Sequence, residues 1–120
     1  MFLIEPEKKV QEIDKILRKD RQMVDLLKKL MDYNCQFPNC NSNIPTKKGL
    51  NYVEVAHIKP VFKGGKSIIG NLIVLCPNHH KEFDLGELVI SEQNKKVISG
   101  ILNERNFKIK LDDNYSYDLL

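Results

Sequence analysis

The chain has 120 residues, a length typical of one folded domain. Hydrophobic residues make up 42% and charged residues 29%, which excludes a disordered composition, and no apolar run approaches membrane-spanning length. The formal net charge of +3 is mild and selects no class of partner by itself. The first residues lack a secretory signal pattern, so we expect a cytoplasmic, reducing setting, where three cysteines favour metal binding over disulfides.

Residues 5–33 are predicted to form a helical lead-in. Their apolar side chains recur at helical spacing in two sets, one from Val10 to Leu17 and one from Met23 to Met31. Asp20 is suited to cap a second helix from about residue 21 to residue 33, and one long helix is the alternative.

The centre of the chain, residues 34–86, is predicted to contain two strands and a short helix. A turn-rich segment is followed by a β-rich run over residues 52–57, a glycine-containing basic loop and an all-apolar strand over residues 72–75. Pro77 is suited to the first turn of a helix, which is expected to stop at Gly86.

Residues 87–120 are predicted to form a β-rich tail. A hairpin is expected from strands 88–90 and 96–98 around a turn at 91–95, followed by a strand over 106–111, a turn at 112–114 and a last segment that pairs back. The sequence therefore predicts one α+β domain over residues 1–120, with an N-terminal helix, a metal knuckle, a central core and C-terminal strands.

Three cysteines and one histidine have the spacing of a structural zinc site. Cys35 and Cys40 form one pair, and Cys76 and His79 form a second pair. A Cys3His set is a common tetrahedral zinc site that uses each cysteine once, and a closed site of this kind contributes folding energy. The alternative is three buried free cysteines and a surface histidine.

A second group of polar residues is predicted to be catalytic. Adjacent side chains on a helix diverge by about 100°, so His79 and His80 are expected to serve different sites. His80 and Asp84 are four residues apart, share a helical face and suit one Mg²⁺ or Mn²⁺ ion. His57, at the end of the first strand, is suited to act as a general base. Taken singly, the same residues are typical of a half-buried histidine and a solvated helix face.

Lysines around this core suggest contacts with a phosphate backbone. Residues 46–66 contain only Glu54 as an acidic residue. The lysines predicted to bind DNA are Lys47, Lys48, Lys59, Lys63, Lys66 and Lys81. The alternative is a solvated lysine-rich loop.

The motifs run from the two upstream cysteines through Glu54-Val-Ala-His-Ile-Lys-Pro60 to Asn71-Leu-Ile-Val-Leu-Cys-Pro-Asn-His-His-Lys-Glu-Phe-Asp84. In this order they resemble the HNH endonucleases, which share a ββα-metal finger. Residues 21–36 also resemble the helix before the site in restriction-type members. The resemblance covers about residues 20–90.

The resemblance implies a role for each matching residue. His57 matches the histidine that activates water, and Asn71 matches the asparagine that braces the loop and in some members touches the metal. His80 matches a metal ligand, and Asp84 falls where many members have a second helical ligand. The implied reaction is hydrolysis of a DNA phosphodiester, which gives a 5′ phosphate and a 3′ hydroxyl.

Ala56 departs from the family pattern, because many members have a histidine or aspartate ligand at that place. We therefore expect weaker metal binding, with Glu54 on the same strand face assisting through water. Two alternatives to a nuclease stay open, namely a zinc-stabilised nucleic-acid-binding module without catalysis and a zinc-knuckle protein-interaction domain. The nuclease is also predicted to act as a homodimer or as part of a larger restriction enzyme.

Overall fold

The structure is a computed structural model that describes residues 21–59, 71–94 and 96–111. The predictions for the first part of the lead-in helix, for Lys63 and Lys66, and for the turn and last segment after residue 111 lie outside these ranges. No helix among the described residues is long and apolar enough to cross a membrane.

The described residues form two helices and two antiparallel sheets. In chain order the elements are α1 (residues 21–30), β1 (Glu54–His57), β2 (Leu72–Leu75), α2 (Pro77–Leu85), β3 (Leu88–Gln93), β4 (Val97–Leu102) and β5 (Arg105–Lys110). Strands β1 and β2 pair in one sheet, and β3, β4 and β5 follow one another in a second sheet. The predicted α+β class is confirmed.

Helix α1 ends earlier than predicted. The helix was expected to reach Tyr33, but residues 31–33 form a turn in which Asp32 and Tyr33 have positive φ angles of 53° and 57°. Positive φ is incompatible with continuing a right-handed helix, so the chain leaves α1 there. Leu27 is the buried anchor of this helix.

Strand β2 is buried on both faces because it separates two cores. Leu72 and Val74 pack with Leu27 of α1. Ile73 and Leu75 point the other way and pack with Phe83 of α2. The period of two along a strand assigns alternate side chains to opposite faces, so one all-apolar run of four residues serves both cores.

Helix α2 begins and ends where the sequence predicts. Cys76 is its N-cap and Pro77 occupies the first turn, where a missing N–H costs nothing. At the other end the Gly86 N–H donates to the Glu82 carbonyl at 2.8 Å. A Cβ at Gly86 would lie 2.6 Å from both that carbonyl and the side chain of Asn103, so glycine is needed for close packing.

The second sheet contains the predicted hairpin and another that the sequence did not indicate. Strand β3 continues to Gln93 and β4 starts at Val97, so the paired strands include residues 91–93, where a turn was expected. The pairing has a register shift between Ile90 and Glu92. Strands β4 and β5 are joined at Asn103 and Glu104, whose φ angles are 48° and 66°. Two positive φ angles are typical of a tight type I′ hairpin turn.

Candidate functional site

Three thiols and one imidazole meet between the segment after α1 and the start of α2. The sulfur of Cys76 lies 3.2 Å from Nδ1 of His79, the sulfur of Cys35 lies 3.5 Å from that nitrogen, and the sulfurs of Cys40 and Cys76 are 3.9 Å apart. All four ligand atoms lie within 4.8 Å of one another. Ligands on one tetrahedral zinc are separated by about 3.5–3.8 Å, so this Cys3His cluster has the donors and the spacing to hold zinc.

Local backbone chemistry positions both halves of the Cys3His cluster. The Cys76 sulfur accepts a hydrogen bond from the His79 N–H at 3.4 Å, as an N-cap does, so helix formation itself brings the two residues together. Gln36 fixes the other half against β2. Its N–H donates to the Val74 carbonyl and its side-chain oxygen accepts from the Val74 N–H, both at 2.8 Å.

An aromatic stack covers the imidazole of the Cys3His cluster. The ring of Phe37 lies on that of His79, with centroids 4.1 Å apart and planes at 16°, and the Arg105 guanidinium lies 5.8 Å from the Phe37 centroid. Burial lowers the pKa of His79, which favours the neutral form that binds metal. Burial also raises the pKa of the Cys35 thiol to about 12, so its thiolate requires a cation for stabilisation.

His80, the next residue of α2, lies between two carboxylates and points away from the Cys3His cluster. Its Nδ1 is 2.8 Å from Oε1 of Glu54, and its Nε2 is 3.4 Å from Oδ2 of Asp84. The Tyr52 hydroxyl donates to Oε2 of Glu54 at 2.7 Å, and this bond, followed by the bond to His80, lowers the pKa of Glu54. The carboxylate therefore stays ionised at neutral pH.

The contacts of His80 favour metal binding through Nε2. A carboxylate at Nδ1 favours the proton on that nitrogen and leaves Nε2 as the free ligand, an arrangement common around metal-bound histidines. Two ligands about 2.1 Å from one ion are roughly 3.0–3.5 Å apart, which matches the distance from Nε2 to Asp84. The structure thus brings His80 and Asp84 together, and their donors fit Mg²⁺ or Mn²⁺ with most positions open.

Glu54 contacts His80 directly, at 2.8 Å from its Nδ1, which the sequence did not predict. Its assistance to an ion through water stays a prediction. Its position on the strand face of Ala56 was visible in the sequence, but its pairing with α2 depends on packing between distant segments. Ala56 is 1% exposed and packs in the core, where it offers no ligand.

His57 ends β1, and Asn71 directly precedes β2. His57 is the half-buried last residue of β1, with Leu72 as its Cα partner across the sheet. Asn71 is 8% exposed, and its side-chain oxygen accepts from the Lys59 N–H at 2.7 Å while its amide donates to the Lys59 carbonyl at 3.0 Å. These bonds fix the backbone directly after His57.

The described lysines among those predicted to bind DNA come from three parts of the chain. Lys47 and Lys48 are exposed in the turn between Thr46 and Gly49, whereas Lys59 follows β1 and Lys81 lies on α2. All four are exposed to solvent, and Lys28 of α1, which sequence reasoning did not single out, lines the same cleft as Lys47 and Lys48. That neighbourhood becomes visible only in the folded chain.

Two strands followed by a helix, with a Cys3His cluster at the helix start, are the layout of a ββα-metal finger. Residues 35–91 match the family model described as HNH endonuclease. The resemblance to the HNH endonucleases is therefore confirmed over this segment, which supports a nuclease.

A curated relative gives a second match. The chain is 41% identical over 46 residues to the type IV methyl-directed restriction enzyme EcoKMcrA of Escherichia coli (strain K12). The match covers 37% of this chain and 17% of that enzyme. A comparison with solved structures gives no significant match.

Proposed function

We propose that this chain is a metal-dependent endonuclease that hydrolyses phosphodiester bonds in DNA. The observation that carries the proposal is the setting of His80, whose Nδ1 is bonded to Glu54 while its Nε2 lies 3.4 Å from Asp84. The HNH family match and the restriction-enzyme relative support the reaction and DNA as its substrate. The proposed catalytic residues are His57, Asn71 and His80.

In this proposal His57 is the general base. Its imidazole accepts a proton from the attacking water, and the water oxygen forms a bond to phosphorus as the bond to the 3′ oxygen breaks. His80 and Asp84 would hold a divalent ion, which would supply electrostatic stabilisation of the charge that develops on the phosphate oxygens. Asn71 keeps the strand end in place through its bonds to Lys59.

Strand alternation constrains where the substrate lies. Glu54 and Ala56 face α2, so His57 leaves β1 toward the opposite face. A phosphodiester within reach of both His57 and His80 must therefore cross the end of β1 rather than lie along α2. The open side of the Asp84 carboxylate, whose side chain is 53% exposed, gives the substrate access from solvent.

The Cys3His cluster is proposed to hold structural zinc and to take no part in the reaction. A closed set of four protein ligands leaves no position for water or substrate. The exposed lysines are proposed to position DNA through its phosphates, which fixes its register without reading its sequence. A homodimer, or a place within a larger restriction enzyme, stays a prediction.

Plasmid cleavage with Mg²⁺ or Mn²⁺ tests the proposal. Wild-type protein is expected to nick or linearise the plasmid, and His57→Ala is expected to lower the rate by about 100-fold or more, because general bases contribute that much. Zinc content and the far-UV CD spectrum of the variant should match those of the wild type. Equal background cleavage by the two proteins would contradict the proposal.

A zinc-stabilised DNA-binding module without catalysis is the second candidate. Ala56 favours it, because this residue packs in the core with 1% exposure where a further metal ligand would help. This candidate predicts DNA retention that weakens with salt, and no cleavage with any divalent ion.

A further inference from the structure

A concave surface next to the His80 site has aromatic side chains as well as lysines, whereas phosphate binding alone would require only the lysines. The cleft has a volume of about 420 Å³, within the usual range for small-ligand sites. Its polar and aromatic walls come from Lys28, Tyr33, Thr46, Lys47, Lys48 and Tyr52. We propose that this nucleotide cleft, defined by these six residues, binds one unstacked nucleotide of the DNA strand, and this inference rests on the proposed nuclease function.

The phosphate-binding part of the nucleotide cleft comes from three lysines on two different segments. Lys28 is on α1, and Lys47 and Lys48 are the central residues of the turn closed by the bond from the Gly49 N–H to the Thr46 carbonyl at 2.9 Å. None of the three forms an ion pair with a described residue. Each carries an ammonium group, which suits a phosphate oxygen.

The turn that carries two of these lysines is held rigidly. Gly49 has a φ of +80°, a conformation that other residues rarely adopt. The Thr46 hydroxyl donates to the Leu50 carbonyl at 2.6 Å. The side chain of Asn51 accepts from the Ile44 N–H at 2.7 Å and donates to the Tyr33 carbonyl at 2.8 Å. The cleft is thus formed before any ligand binds, which lowers the entropic cost of binding.

The two tyrosines favour a nucleotide over a lone phosphate as the ligand of the cleft. Tyr33 and Tyr52 line the cleft beside apolar Leu50 and Val53, whereas a phosphate alone would need no aromatic surface. Aromatic side chains bind unpaired bases by stacking and tolerate any sequence. Bases inside a duplex have both faces covered by their neighbours, so only an unstacked base can enter the cleft.

Tyr52 links the nucleotide cleft to the proposed catalytic centre. Its hydroxyl bonds to Glu54 at 2.7 Å, and Glu54 bonds to His80 at 2.8 Å. A nucleotide in the cleft therefore lies close to the strand that ends in His57. The consequence is a preference for DNA that contains unpaired nucleotides near the cleaved bond.

Fluorescence anisotropy with two labelled duplexes tests this assignment in the absence of added Mg²⁺ or Mn²⁺. One duplex is fully paired, and the other contains a bulge of three unpaired nucleotides. Wild-type protein is expected to bind the bulged duplex at least about fivefold more tightly, the smallest effect expected of a stacked base. Equal affinity for the two duplexes would overturn the assignment.

Two double variants test whether the preference for the bulged duplex comes from the nucleotide cleft. Lys47→Gln/Lys48→Gln is expected to remove the preference and to make the log–log salt dependence shallower by roughly 1.4, for two lost single-strand phosphate contacts. Lys108→Gln/Lys110→Gln removes the same charge from exposed positions of β5 and should leave the preference unchanged. Equal losses for both double variants on both duplexes would overturn the assignment.

A second pair of variants separates the ring of Tyr52 from its hydroxyl. Tyr52→Phe keeps the stacking surface and should keep the preference, whereas Tyr52→Leu should lose it. Plasmid cleavage by the same proteins distinguishes the two proposals. A cleft-dependent preference without cleavage would contradict the nuclease and uphold the cleft, and cleavage without the preference would do the reverse.

Discussion

Helix α2 contributes to two polar clusters that differ in how much protein surrounds them. The Cys3His cluster has four ligand atoms within 4.8 Å, and its histidine lies under the ring of Phe37. In the His80 cluster, only Nε2 of His80 and a carboxylate oxygen of Asp84 face each other as possible metal ligands, and the Asp84 side chain is 53% exposed. A closed set of ligands suits a structural ion, whereas an open set leaves room for water and substrate.

The two clusters begin from consecutive residues. His79 points toward the thiols, and His80 points toward Glu54 on β1. One step along a helix turns the side chain by about 100°, which is enough to separate a site that holds the fold from a site proposed for catalysis. Variants that affect one cluster and spare the other therefore test the comparison.

The largest expected effect follows loss of a thiol. Cys40→Ser removes one of four ligands, and structural zinc contributes about 10 kcal/mol or more in small domains, comparable with the whole stability of a protein. We expect loss of bound zinc and of the cooperative melting transition, measured by elemental analysis and CD. Retention of one zinc and an unchanged melting temperature would show that the cluster is not structural.

His80→Ala should have the opposite profile. The variant removes one proposed ligand of the catalytic ion, and we expect cleavage to fall by at least about 100-fold, since even partners of metal ligands cost 10–100-fold. Zinc content and melting should stay near wild type, because His80 lies outside the Cys3His cluster. Loss of zinc in this variant would mean that the two clusters are one unit.

Glu54→Gln should affect the His80 cluster, and therefore cleavage, less than His80→Ala does. Glutamine keeps the shape of the side chain but not the charge that holds Nδ1 of His80, so the Mn²⁺ concentration for half-maximal cleavage should rise about tenfold. Glu92→Gln, at an exposed position on β3, is the control for loss of one negative charge. A matching rise in the control would assign the effect to net charge.

The smallest effect, on the free energy of unfolding, is expected at the ion pair of Glu82 and Arg105 beside the Cys3His cluster. Asn103, and then Arg105, bond to Glu82 and lower its pKa below the ordinary value of 4.5. The stabilisation is therefore present above that value and is lost as pH falls through the lower, folded-state pKa. Partial exposure limits it to about 1 kcal/mol or less.

Urea unfolding of wild type and Glu82→Gln between pH 7 and pH 3.5 measures this contribution. The difference in free energy of unfolding should be constant down to about pH 5 and should shrink below it. Only pH values at which both proteins retain bound zinc and a cooperative urea transition are compared, because the Cys3His cluster is expected to hold the fold. A difference that grows at low pH would contradict the assigned direction of the pKa shift.

Local patterns in the sequence predicted much of the central fold. Strand β2, the start of α2 at Pro77 and its stop at Gly86 depend on nearby residues, and the structure has them as predicted. The β4–β5 hairpin was missed, because its turn at Asn103 and Glu104 contains no glycine. Intrinsic preference is weak there, and the pairing of the flanking strands decides the conformation.

Among contacts between distant segments, only those of the Cys3His cluster were predicted from the sequence. The four residues of the Cys3His cluster were predicted from their spacing, and the structure brings them together. The stack of Phe37 on His79, the bond from Glu54 to His80 and the position of Lys28 beside the 46–49 turn each join segments far apart in the chain. Such pairs follow from packing, which no periodicity reveals.

The side chain of Asn71 joins the residue before β2 to the chain just after β1. It bonds to both the N–H and the carbonyl of Lys59, and its own carbonyl accepts from the Ile58 N–H at 2.8 Å. These bonds join the two strands beyond the residue pairs of the sheet itself. The register of β1 against β2 is therefore secured at this end by one side chain as well as by backbone bonds.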